Sequence, residues 1–337
     1  MPVTPTYQTP RNRYEIDRCE PQTRAIEAGK IDYHALTKGN YPGTPVPRNI
    51  LQGLKSLGFW NASKAQDWGL DAHRNEGIEL MFLETGSMEF AVDQRRYPLH
   101  AGQFTVTRPW QLHKLGAPNI GPGRLHWLIL DVGVRRPHQE WRWPKWLVLT
   151  PGDLAELTQK LRRNEQPVWP ATPAIAHSFR ELARGVTAWG QPHCVSRLAG
   201  NLNQLFIGIL DALGAVPAGE DDRLTSRRRT VDIFLEDLKS GRADLSEPWT
   251  LEKMSAHCGM GITAFSKYCR EQVNAGPVKF LNRCRLEQAA RRLRLEPNVS
   301  VTEIALACGF NSSQYFATAF ARQLGTSPRE HRRQNPS

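Results

Sequence analysis

The spacing of apolar residues divides the chain into regions of different secondary structure. From residue 49 to about residue 131, short apolar runs alternate with turn-forming residues, a pattern typical of β-strands. The clearest runs are residues 78–83, 88–92, 104–107 and 125–130. Thr85, Gly86 and Ser87 between the first two are residues found in hairpin turns. Many short strands at this spacing predict a β-sandwich or β-barrel over residues 46–150.

From residue 150 the apolar spacing becomes that of helices. Thr150 and Pro151 are helix-start residues and predict a helix through about residue 163. Two longer helices are expected over residues 174–189 and 192–213. The second carries an apolar stripe made of Leu198, Leu202, Leu205, Ile209 and Leu213. We expect residues 1–45 to form an N-terminal arm, either loose or as an edge strand, residues 151–213 a helical segment and residues 214–226 a linker.

The last third of the chain contains an internal repeat. Residues 251–260 align with residues 301–310 at an offset of 50, and after one added residue Phe265 aligns with Phe316 at an offset of 51. In each copy a short helix ends at a glycine, Gly259 or Gly309, and a longer helix follows. Glycine allows the sharp turn that such a junction requires. The repeat therefore predicts a helix-turn-helix unit used twice.

Local signals within the repeat support this interpretation. Ser300 and Glu303 have the spacing of a capping box, and Asn311 is expected to cap the helix that follows. Phe316, Phe320 and Leu324 recur at every fourth position and define a buried stripe. A long connector helix is predicted over residues 278–295, between the two units. The resulting fold class is α+β in two domains, an N-terminal β domain and a C-terminal all-α domain.

The charge of the chain is concentrated in the same region. The formal net charge is +11, and residues 223–337 contain 19 Lys and Arg against 11 Asp and Glu, compared with 25 against 22 in the preceding residues. Charge alone does not distinguish nucleic acid from an anionic membrane surface. The connector helix carries Arg283, Arg285, Arg291, Arg292 and Arg294. A basic excess within a helix-turn-helix region is the pattern expected of a nucleic-acid-binding domain.

The C-terminal region resembles the AraC/XylS family of bacterial regulators. The resemblance lies in residues 301–316 (VTEIALACGFNSSQYF), 324–331 (LGTSPREH) and the connector, 280–293 (FLNRCRLEQAARRL). It implies a double helix-turn-helix DNA-binding domain over residues 227–333 that binds double-stranded DNA. It also implies that the chain is a transcription regulator rather than an enzyme. In this family the helices before the linker often form a homodimer, whereas the alternative is that they pack on their own barrel.

The resemblance also suggests which residues contact DNA. The base-reading positions of the family fall on exposed-face residues of the second helix in each unit, namely Thr263, Ser266, Lys267, Ser313, Gln314, Ala317 and Thr318. Basic residues expected to contact DNA, phosphates above all, are Arg270, Arg283, Arg322 and Arg332. Family members often have Arg at the position of Thr318. Its absence predicts that the second unit contributes less sequence discrimination than the first.

The β domain resembles a cupin barrel, the usual sensor domain of this family. Residues 102–113 resemble the second cupin motif, and His73, Asn75, Glu79 and Gly86 lie at positions of the first. The expected effector contacts are His73, Glu79, Trp110, His113 and Trp127, with a sugar or an aromatic molecule as the effector. A set of two His and one carboxylate can also hold iron, and such residues often form only structural hydrogen bonds. We expect no metal and no cofactor.

The remaining features concern the location of the chain and rival functions. None of the six cysteines forms a C-x-x-C pair, so no zinc ribbon or redox site is indicated. Four of them lie at apolar positions of predicted helices and are expected to be buried free thiols, which suits a reducing cytoplasm. The polar N-terminus does not resemble a signal peptide and no apolar run suits a membrane span, so a cytoplasmic protein is expected. Two rival interpretations stay open: a metal-dependent cupin enzyme fused to a DNA-binding module, and a regulator that needs no effector.

Overall fold

The computed structural model describes residues 6–9, 12–15, 19–39, 41–93, 95–214 and 222–334. The chain divides into two compact units, Met1–Thr6 with Glu15–Asp222 and Tyr7–Tyr14 with Arg223–Ser337. Two short strands, β1 (Thr6–Thr9) and β2 (Asn12–Glu15), form a separate two-stranded sheet. Most of the predicted linker, residues 215–221, and part of the predicted arm lie outside the described residues. The two-domain α+β organisation is confirmed.

The first unit is built on a nine-stranded sheet. Its strands are β3 (Asp32–Thr37), β4 (Thr44–Pro45), β5 (Leu54–Ala62), β6 (Ile78–Val92), β7 (Arg95–His100), β8 (Gln103–Thr107), β9 (His113–Leu115), β10 (Gly123–Leu130) and β11 (Val168–Pro170). The strand order is β11-β8-β6-β10-β5-β3-β4, with β7 and β9 also paired to β6. All pairs are antiparallel except β3 with β4. The predicted β domain is therefore present.

Strand β6 differs from the sequence expectation. The two runs at residues 78–83 and 88–92 belong to one strand, and the expected turn between them is wrong. Gly86 has φ +91°, and a Cβ at this position would lie 1.9 Å from the carbonyl oxygen of Pro122. The register with β10 also shifts there, between Arg124 and Leu125. Gly86 thus forms a β-bulge where the backbone of Pro122 comes close, and it does not reverse the chain.

Residues 19–39 and 41–45 form part of the first unit: they are not a loose arm, and β4 is an edge strand of the sheet. They contain helix α1 (Glu20–Glu27) as well as β3 and β4. Ile31 and Ala35 are buried in the main core of the sheet, and Tyr33 packs against the same core. The three residues alternate along the chain, so they lie on one face of the strand. This face needs burial, which explains why the segment joins the sheet.

Three further helices complete the first unit: α2 (Pro151–Arg163), α3 (Pro173–Thr187) and α4 (Cys194–Ala212). Thr150 caps α2 as predicted, by accepting a hydrogen bond from the Asp153 backbone N–H. The leucine-rich stripe of α4 is fully buried within the chain, where α4 packs against α3 and α2. The stripe therefore packs on its own domain, and the alternative that it forms a dimer interface is wrong for these residues.

The second unit is helical throughout its residues 222–334. Its helices are α5 (Asp222–Ser240), α6 (Leu251–His257), α7 (Ile262–Val273), α8 (Pro277–Leu295), α9 (Val301–Ala307), α10 (Ser313–Leu324) and α11 (Pro328–Gln334). Gly259 and Gly309 have φ of +65° and +84°, so both turns use the left-handed conformation that the repeat predicted. The capping box of Ser300 and Glu303 is present. Helix α10 is capped by Ser312 instead of Asn311.

Each helix-turn-helix has its own hydrophobic core. Phe265 and Cys269 of α7 are buried in the first core, and Phe316 and Phe320 of α10 are buried in the second. The connector α8 contributes to both. Its residues Phe280, Leu281 and Cys284 pack in the first core, and Leu286, Ala289, Ala290 and Leu293 pack in the second.

All six cysteines are buried free thiols, which includes the four for which burial was expected. They are Cys19, Cys194, Cys258, Cys269, Cys284 and Cys308. Burial raises the pKa of the Cys269 thiol to about 12 and that of the Cys284 thiol to about 11. Among the helices that the structure describes, none combines the length and the hydrophobicity that a bilayer span needs.

Candidate functional site

The outer face of α7 is the first candidate contact surface. Thr263, Lys267 and Arg270 are exposed there, as the sequence predicted. Ser266 is not, since only 9% of its surface is accessible. It follows Phe265, a residue of the first core, and is itself buried, so its expected role in reading bases is corrected. A small polar side chain fits that boundary because it fills little space.

The outer face of α10 is the second candidate surface. Ser313, Gln314, Thr318 and Arg322 are exposed, and Ala317 is half-buried. The hydroxyl of Thr318 donates a hydrogen bond to the backbone carbonyl of Gln314, 3.0 Å away. Its side chain is short and is turned back to the helix. This geometry agrees with the expectation that Thr318 offers less to a base edge than an arginine would.

Two exposed apolar side chains on these helices were missed by the sequence reasoning. Ile262 is 43% exposed at the start of α7, and Tyr315 is 55% exposed in the first turn of α10. From the sequence, apolar residues of these helices are assigned to the core, so exposed apolar residues are not identified as candidate contacts. An apolar side chain at the start of such a helix can contact the methyl group of thymine. The signal that could have found them is their place one and three residues after the N-cap of the second helix.

The arginines fall into two groups. Arg283 is exposed and lies over the ring of Phe280, 5.1 Å from its centroid. Arg332 instead donates hydrogen bonds to the backbone carbonyls of Pro297 and Val299, at 3.3 Å and 2.7 Å. Arg332 therefore links α11 to the loop before α9 by hydrogen bonds. Its expected contact with a phosphate has no support from this arrangement.

In the first unit, three of the predicted effector residues are adjacent. Their potential ligand atoms, from His73, Glu79 and His113, all lie within 4.8 Å of one another. The Nε2 atom of His113 is 2.6 Å from the Oε2 atom of Glu79. Backbone hydrogen bonds between His73 and His113, at 2.9 Å and 3.0 Å, hold the two histidines side by side. The sequence predicted the members of this cluster, and the structure brings them together.

The protonation of this cluster follows from its hydrogen bonds. The Nδ1 atom of His73 is 2.6 Å from the carbonyl oxygen of Asp71, and that of His113 is 2.9 Å from the carbonyl oxygen of Gln111. A carbonyl only accepts, so each Nδ1 donates to it. An ionised carboxylate also only accepts, so the Nε2 of His113 donates to Glu79, whereas the Nε2 of His73 is left for a ligand. Burial opposes the charge of Glu79, but His113, His73 and Asn75 outweigh it and hold the pKa of its carboxyl below the ordinary value.

A cleft lies next to this cluster. The space between its walls, counted together with the open solvent at its mouth, is about 430 Å³. His73, Asn75 and Glu79 line one part of it, and aromatic side chains line another, namely Tyr33, Tyr41, Trp60 and Trp127. Among the described residues, the indole N–H of Trp60 is buried and has no hydrogen-bond partner. An unpaired buried donor is costly, and the residue that carries this one lines the cleft.

The two predicted tryptophans differ in their placement. Trp127 lines the cleft, donates its N–H to the hydroxyl of Ser56 at 2.8 Å and packs 5.6 Å from the ring of Trp60. Trp110 does not line the cleft. Its N–H donates to the carbonyl of Val134 at 3.0 Å, and the residue is buried. Trp110 is therefore a packing residue, and its expected contact with an effector is corrected.

Tyr33 and Tyr41 were also missed as lining residues. Both fall in the segment that the sequence assigned to the arm, so their position on the cleft was not expected. The hydroxyl of Tyr41 is 3.4 Å from Oδ1 of Asn75 and 3.3 Å from Oε2 of Glu76. The alternation of Ile31, Tyr33 and Ala35 is the signal that could have placed the first tyrosine inside the sheet.

The donor set of the cluster also fits a divalent metal. Two imidazole nitrogens and one carboxylate oxygen are ligands of zinc, iron and manganese. The carbonyls that accept from each Nδ1 give the histidines the supporting hydrogen bonds common around metal ligands. Asn75 donates to Oε2 of Glu79 at 2.9 Å, so this oxygen is also held by the protein itself.

Comparisons with known proteins agree with both parts of the fold. Residues 254–334 match the protein family "Helix-turn-helix domain", and residues 64–131 match the family "Cupin domain". The chain is similar to the HTH-type transcriptional activator RhaS of Escherichia coli O139:H28, with 36% identity over 185 residues, 53% of this chain and 63% of that relative. It is 35% identical to the HTH-type transcriptional regulator MtrA of Neisseria gonorrhoeae over 88 residues, 26% of this chain and 29% of MtrA.

Among solved structures, the chain is similar to a transcriptional regulator with an AraC-type DNA-binding domain from Chromobacterium violaceum. The identity is 21%, the match covers 34% of this chain and 96% of that one, and the TM-score is 0.29. The chain spans less than two thirds of the length of the curated relatives it matches.

Proposed function

We propose that this chain, an AraC-family protein that joins a cupin domain to a double helix-turn-helix domain, is a sequence-specific transcription regulator. The observation that carries the proposal is the repeat in the second unit. Both of its second helices, α7 and α10, bury one face in a separate core and leave a polar and basic face exposed. Helices of this kind enter the major groove, where side chains such as Lys267 and Gln314 can reach base edges.

The charge of the second unit supports the same function. Lys and Arg exceed Asp and Glu by 8 in residues 223–337. Contacts to phosphates supply affinity and register, whereas contacts to base edges supply sequence preference. In this proposal the exposed Arg270, Arg283 and Arg322 serve the first role. Thr263, Lys267, Ser313, Gln314 and Thr318 serve the second.

The proposal is tested by selecting duplexes from a random-sequence pool with the purified full chain. We expect an enriched motif with two conserved segments about 10 base pairs apart, one for each helix-turn-helix. The stronger conservation should lie in the segment read by α7, since Thr318 is a weak reader. A pool without enrichment after several rounds, or one enriched for composition alone, would contradict sequence-specific regulation.

We further propose that the cleft of the first unit binds a small-molecule effector, a sugar or an aromatic molecule. Rings of Tyr33, Trp60 and Trp127 offer flat apolar faces, and the N–H of Trp60 offers a donor for a hydroxyl or carboxylate oxygen of the ligand. His73 and Asn75 add polar groups at the other side. An effector regulates only if it binds one arrangement of the protein more tightly than another.

Thermal unfolding with candidate sugars and aromatic acids tests this effector proposal. A true ligand at about 100 times its Kd adds roughly 2.7 kcal/mol to the free energy of unfolding. Trp60→Phe keeps an aromatic ring, although a smaller one, and removes the N–H, so it should weaken the binding of that ligand, whereas Trp110→Phe should not. If no compound of either class raises the melting temperature, a regulator that needs no effector is favoured.

We also propose that the chain acts as a homodimer in the cytoplasm. The stripe of α4 cannot serve as the interface because it is buried, but Val195 and Ile207 are exposed apolar residues on the outside of the same helix. Sedimentation of the full chain over a range of concentrations measures the association. A monomer at micromolar concentration, together with tight binding to a single site, would contradict the dimer.

A second candidate function is metal binding by His73, Glu79 and His113. It is favoured by the clustering of their ligand atoms and by the orientation of both Nε2 atoms. A bound metal would act as a Lewis acid there, which is the basis of the rival enzyme interpretation. Elemental analysis of the purified protein, with His113→Ala as the comparison, tests it. Stoichiometric iron or manganese that is lost in the variant favours this candidate.

A further inference from the structure

The connector α8 has a buried charge at the point where its two cores meet. Leu281 and Cys284 before this point belong to the first core, and Leu286 and Ala289 after it belong to the second. Between them, Arg285 is only 9% exposed. An isolated buried guanidinium is costly, so it needs hydrogen-bond acceptors around it. The identity of these acceptors shows what the residue connects.

The acceptors of Arg285 are backbone carbonyls of the loop between α5 and α6. Its Nε atom donates to the carbonyl of Leu245 at 2.9 Å, and its Nη2 atom donates to the carbonyl of Glu247 at 2.8 Å. Leu245 and Trp249 of the same loop are buried in the first core. Burial lowers the pKa of the guanidinium, but an arginine remains charged at neutral pH. Arg285 therefore fixes α8 to the first helix-turn-helix.

The same carbonyl also contacts the second helix-turn-helix. Gly309, at the turn between α9 and α10, has φ +84°. A Cβ at Gly309 would lie 2.2 Å from the carbonyl oxygen of Leu245 and 2.7 Å from both Nε and Nη2 of Arg285. The turn before α10 is thus packed directly on the carbonyl that Arg285 holds. Loop 241–250, the connector and the second turn meet at one point.

We propose that Arg285 is a positioning residue that sets the relation between α7 and α10. This proposal rests on the proposed function, because the relative orientation of α7 and α10 matters most when both helices read one DNA molecule. Arg285 does not reach the DNA-facing surface itself. It clamps the Leu245 carbonyl of the first helix-turn-helix under the turn that starts α10, and so it limits how far the two helix-turn-helix motifs rotate about α8. Two rigidly linked modules bind two segments at one spacing more tightly than two loosely linked modules.

The first test measures the spacing preference of the full chain. Its selected duplex is compared with one carrying about two additional base pairs between the segments, which rotates one of them by roughly 70°. For the wild-type chain we expect the insertion to weaken binding at least tenfold. For Arg285→Met we expect weaker binding to the native spacing and a penalty for the insertion that falls to about threefold or less. Arg285→Lys keeps the charge but cannot serve both carbonyls in the same geometry, so it should lie between.

The matched control is Arg291→Met, which removes the same charge from an exposed position of the same helix. It should weaken both duplexes equally and leave the ratio of their affinities unchanged. If folded Arg285→Met retains the wild-type ratio, the positioning role is overturned. Circular dichroism and thermal unfolding establish whether each variant is folded. If Arg285→Met is not folded, the spacing preference is measured with Arg285→Lys instead.

The second test needs no DNA and separates the two proposals. Spin labels are attached through Thr263→Cys and Thr318→Cys, since all native cysteines are buried, and the distance distribution between them is measured. We expect a narrow distribution with Arg285 present and a clearly broader one with Arg285→Met. A change here without any sequence preference in the selection would overturn the regulator but support the positioning role. An unchanged distribution in the folded variant would overturn the positioning role alone.

Discussion

A single residue in this protein either is available to contact a binding partner or stabilises the fold, and its burial distinguishes the two roles. Lys267 is exposed on α7 and free to meet a ligand surface, whereas Ser266 beside it is buried against the first core. Glu79 is buried and held by His113 and Asn75. The effect of a substitution should therefore differ in kind: loss of affinity at an exposed contact, and loss of stability at a buried one.

At the first kind of position, Lys267→Ala should weaken binding to the selected duplex. The expected loss is about 1–3 kcal/mol with relaxed preference at one base pair, because a lysine that donates to a base edge discriminates against other bases. Fluorescence anisotropy at fixed salt on the selected duplex and on its single-base variants measures both. Ser266→Ala, a change on the buried side, is the control and should leave the preference intact. Unaltered affinity and preference in Lys267→Ala would refute its role.

At the second kind of position, Glu79→Gln should destabilise the first unit and change its acid response. The pKa of Glu79 is lowered in the fold, so its contribution is present above the unfolded pKa, near 4.3, and disappears as the pH falls through the folded value. We expect a loss of about 3 kcal/mol at pH 7, because His113 and Asn75 lose a buried partner. The difference from wild type should shrink below about pH 4.

Denaturant unfolding at several pH values measures this difference. Glu156→Gln removes a carboxylate that is 55% exposed and paired with Lys160, and it should cost less than about 1 kcal/mol at any pH. A wild-type chain and a Glu79→Gln chain with equal stability at pH 7 would show that the ion pair contributes nothing.

At the scale of elements, the turns of the two repeats were predictable because their chemistry is local. Gly259 and Gly309 mark the turns through their spacing alone, and Ser300 with Glu303 marks a helix start. Strand β6 was mispredicted for the opposite reason. Whether Gly86 reverses the chain or bends it depends on the backbone of Pro122, which is far away in sequence. Long-range contacts of this kind leave no local signal.

The start of α9 allows a test at this scale. Ser300→Ala removes the hydroxyl that accepts from the Glu303 backbone N–H, so it should lower the free energy of unfolding of the full chain by about 1 kcal/mol. Thr302→Ala, an exposed position in the same helix, should change it by less than about 0.5 kcal/mol. Chemical denaturation followed by circular dichroism compares the two variants, and equal effects would show that the cap is not stabilising.

The candidate site was predictable only in part for a related reason. His73, Glu79 and His113 were found because cupin-like motifs fix their spacing, and they do converge. Trp110 was expected beside them on composition, but its N–H is used by Val134. Tyr33 and Tyr41 were not expected, since β3, which contains Tyr33 and precedes Tyr41, joins the sheet through contacts with residues 54–62. Membership of a pocket is a property of the assembled sheet rather than of any one segment.

At the scale of the molecule, charge is distributed unequally between the units. Residues 223–337 contain 19 Lys and Arg against 11 Asp and Glu. Several of these arginines are committed inside the fold, as Arg285 and Arg332 are, so the charge available to DNA is smaller than the count. The remaining exposed cations should still dominate the affinity for any DNA sequence, because each phosphate contact releases counterions.

The DNA affinity of the full chain should therefore fall steeply with salt. For about six phosphate contacts, the binding constant should decrease by roughly 10³ between 50 and 200 mM salt. Anisotropy titrations at several salt concentrations give the slope, and Arg322→Ala should reduce it by about one contact while Thr302→Ala leaves it unchanged. A slope near zero would mean that the exposed cations do not meet phosphates.

The burial of every cysteine has a practical consequence for how the protein can be observed. A thiol reacts as its thiolate, and a buried thiol with a raised pKa supplies almost none. Alkylating reagents should therefore modify the native chain only when a region opens transiently. Cys269 lies in one core of the second unit and Cys308 in the other. Mass spectrometry after timed alkylation would then measure, for each cysteine, how often the core around it opens. The same data would show whether the two cores open together.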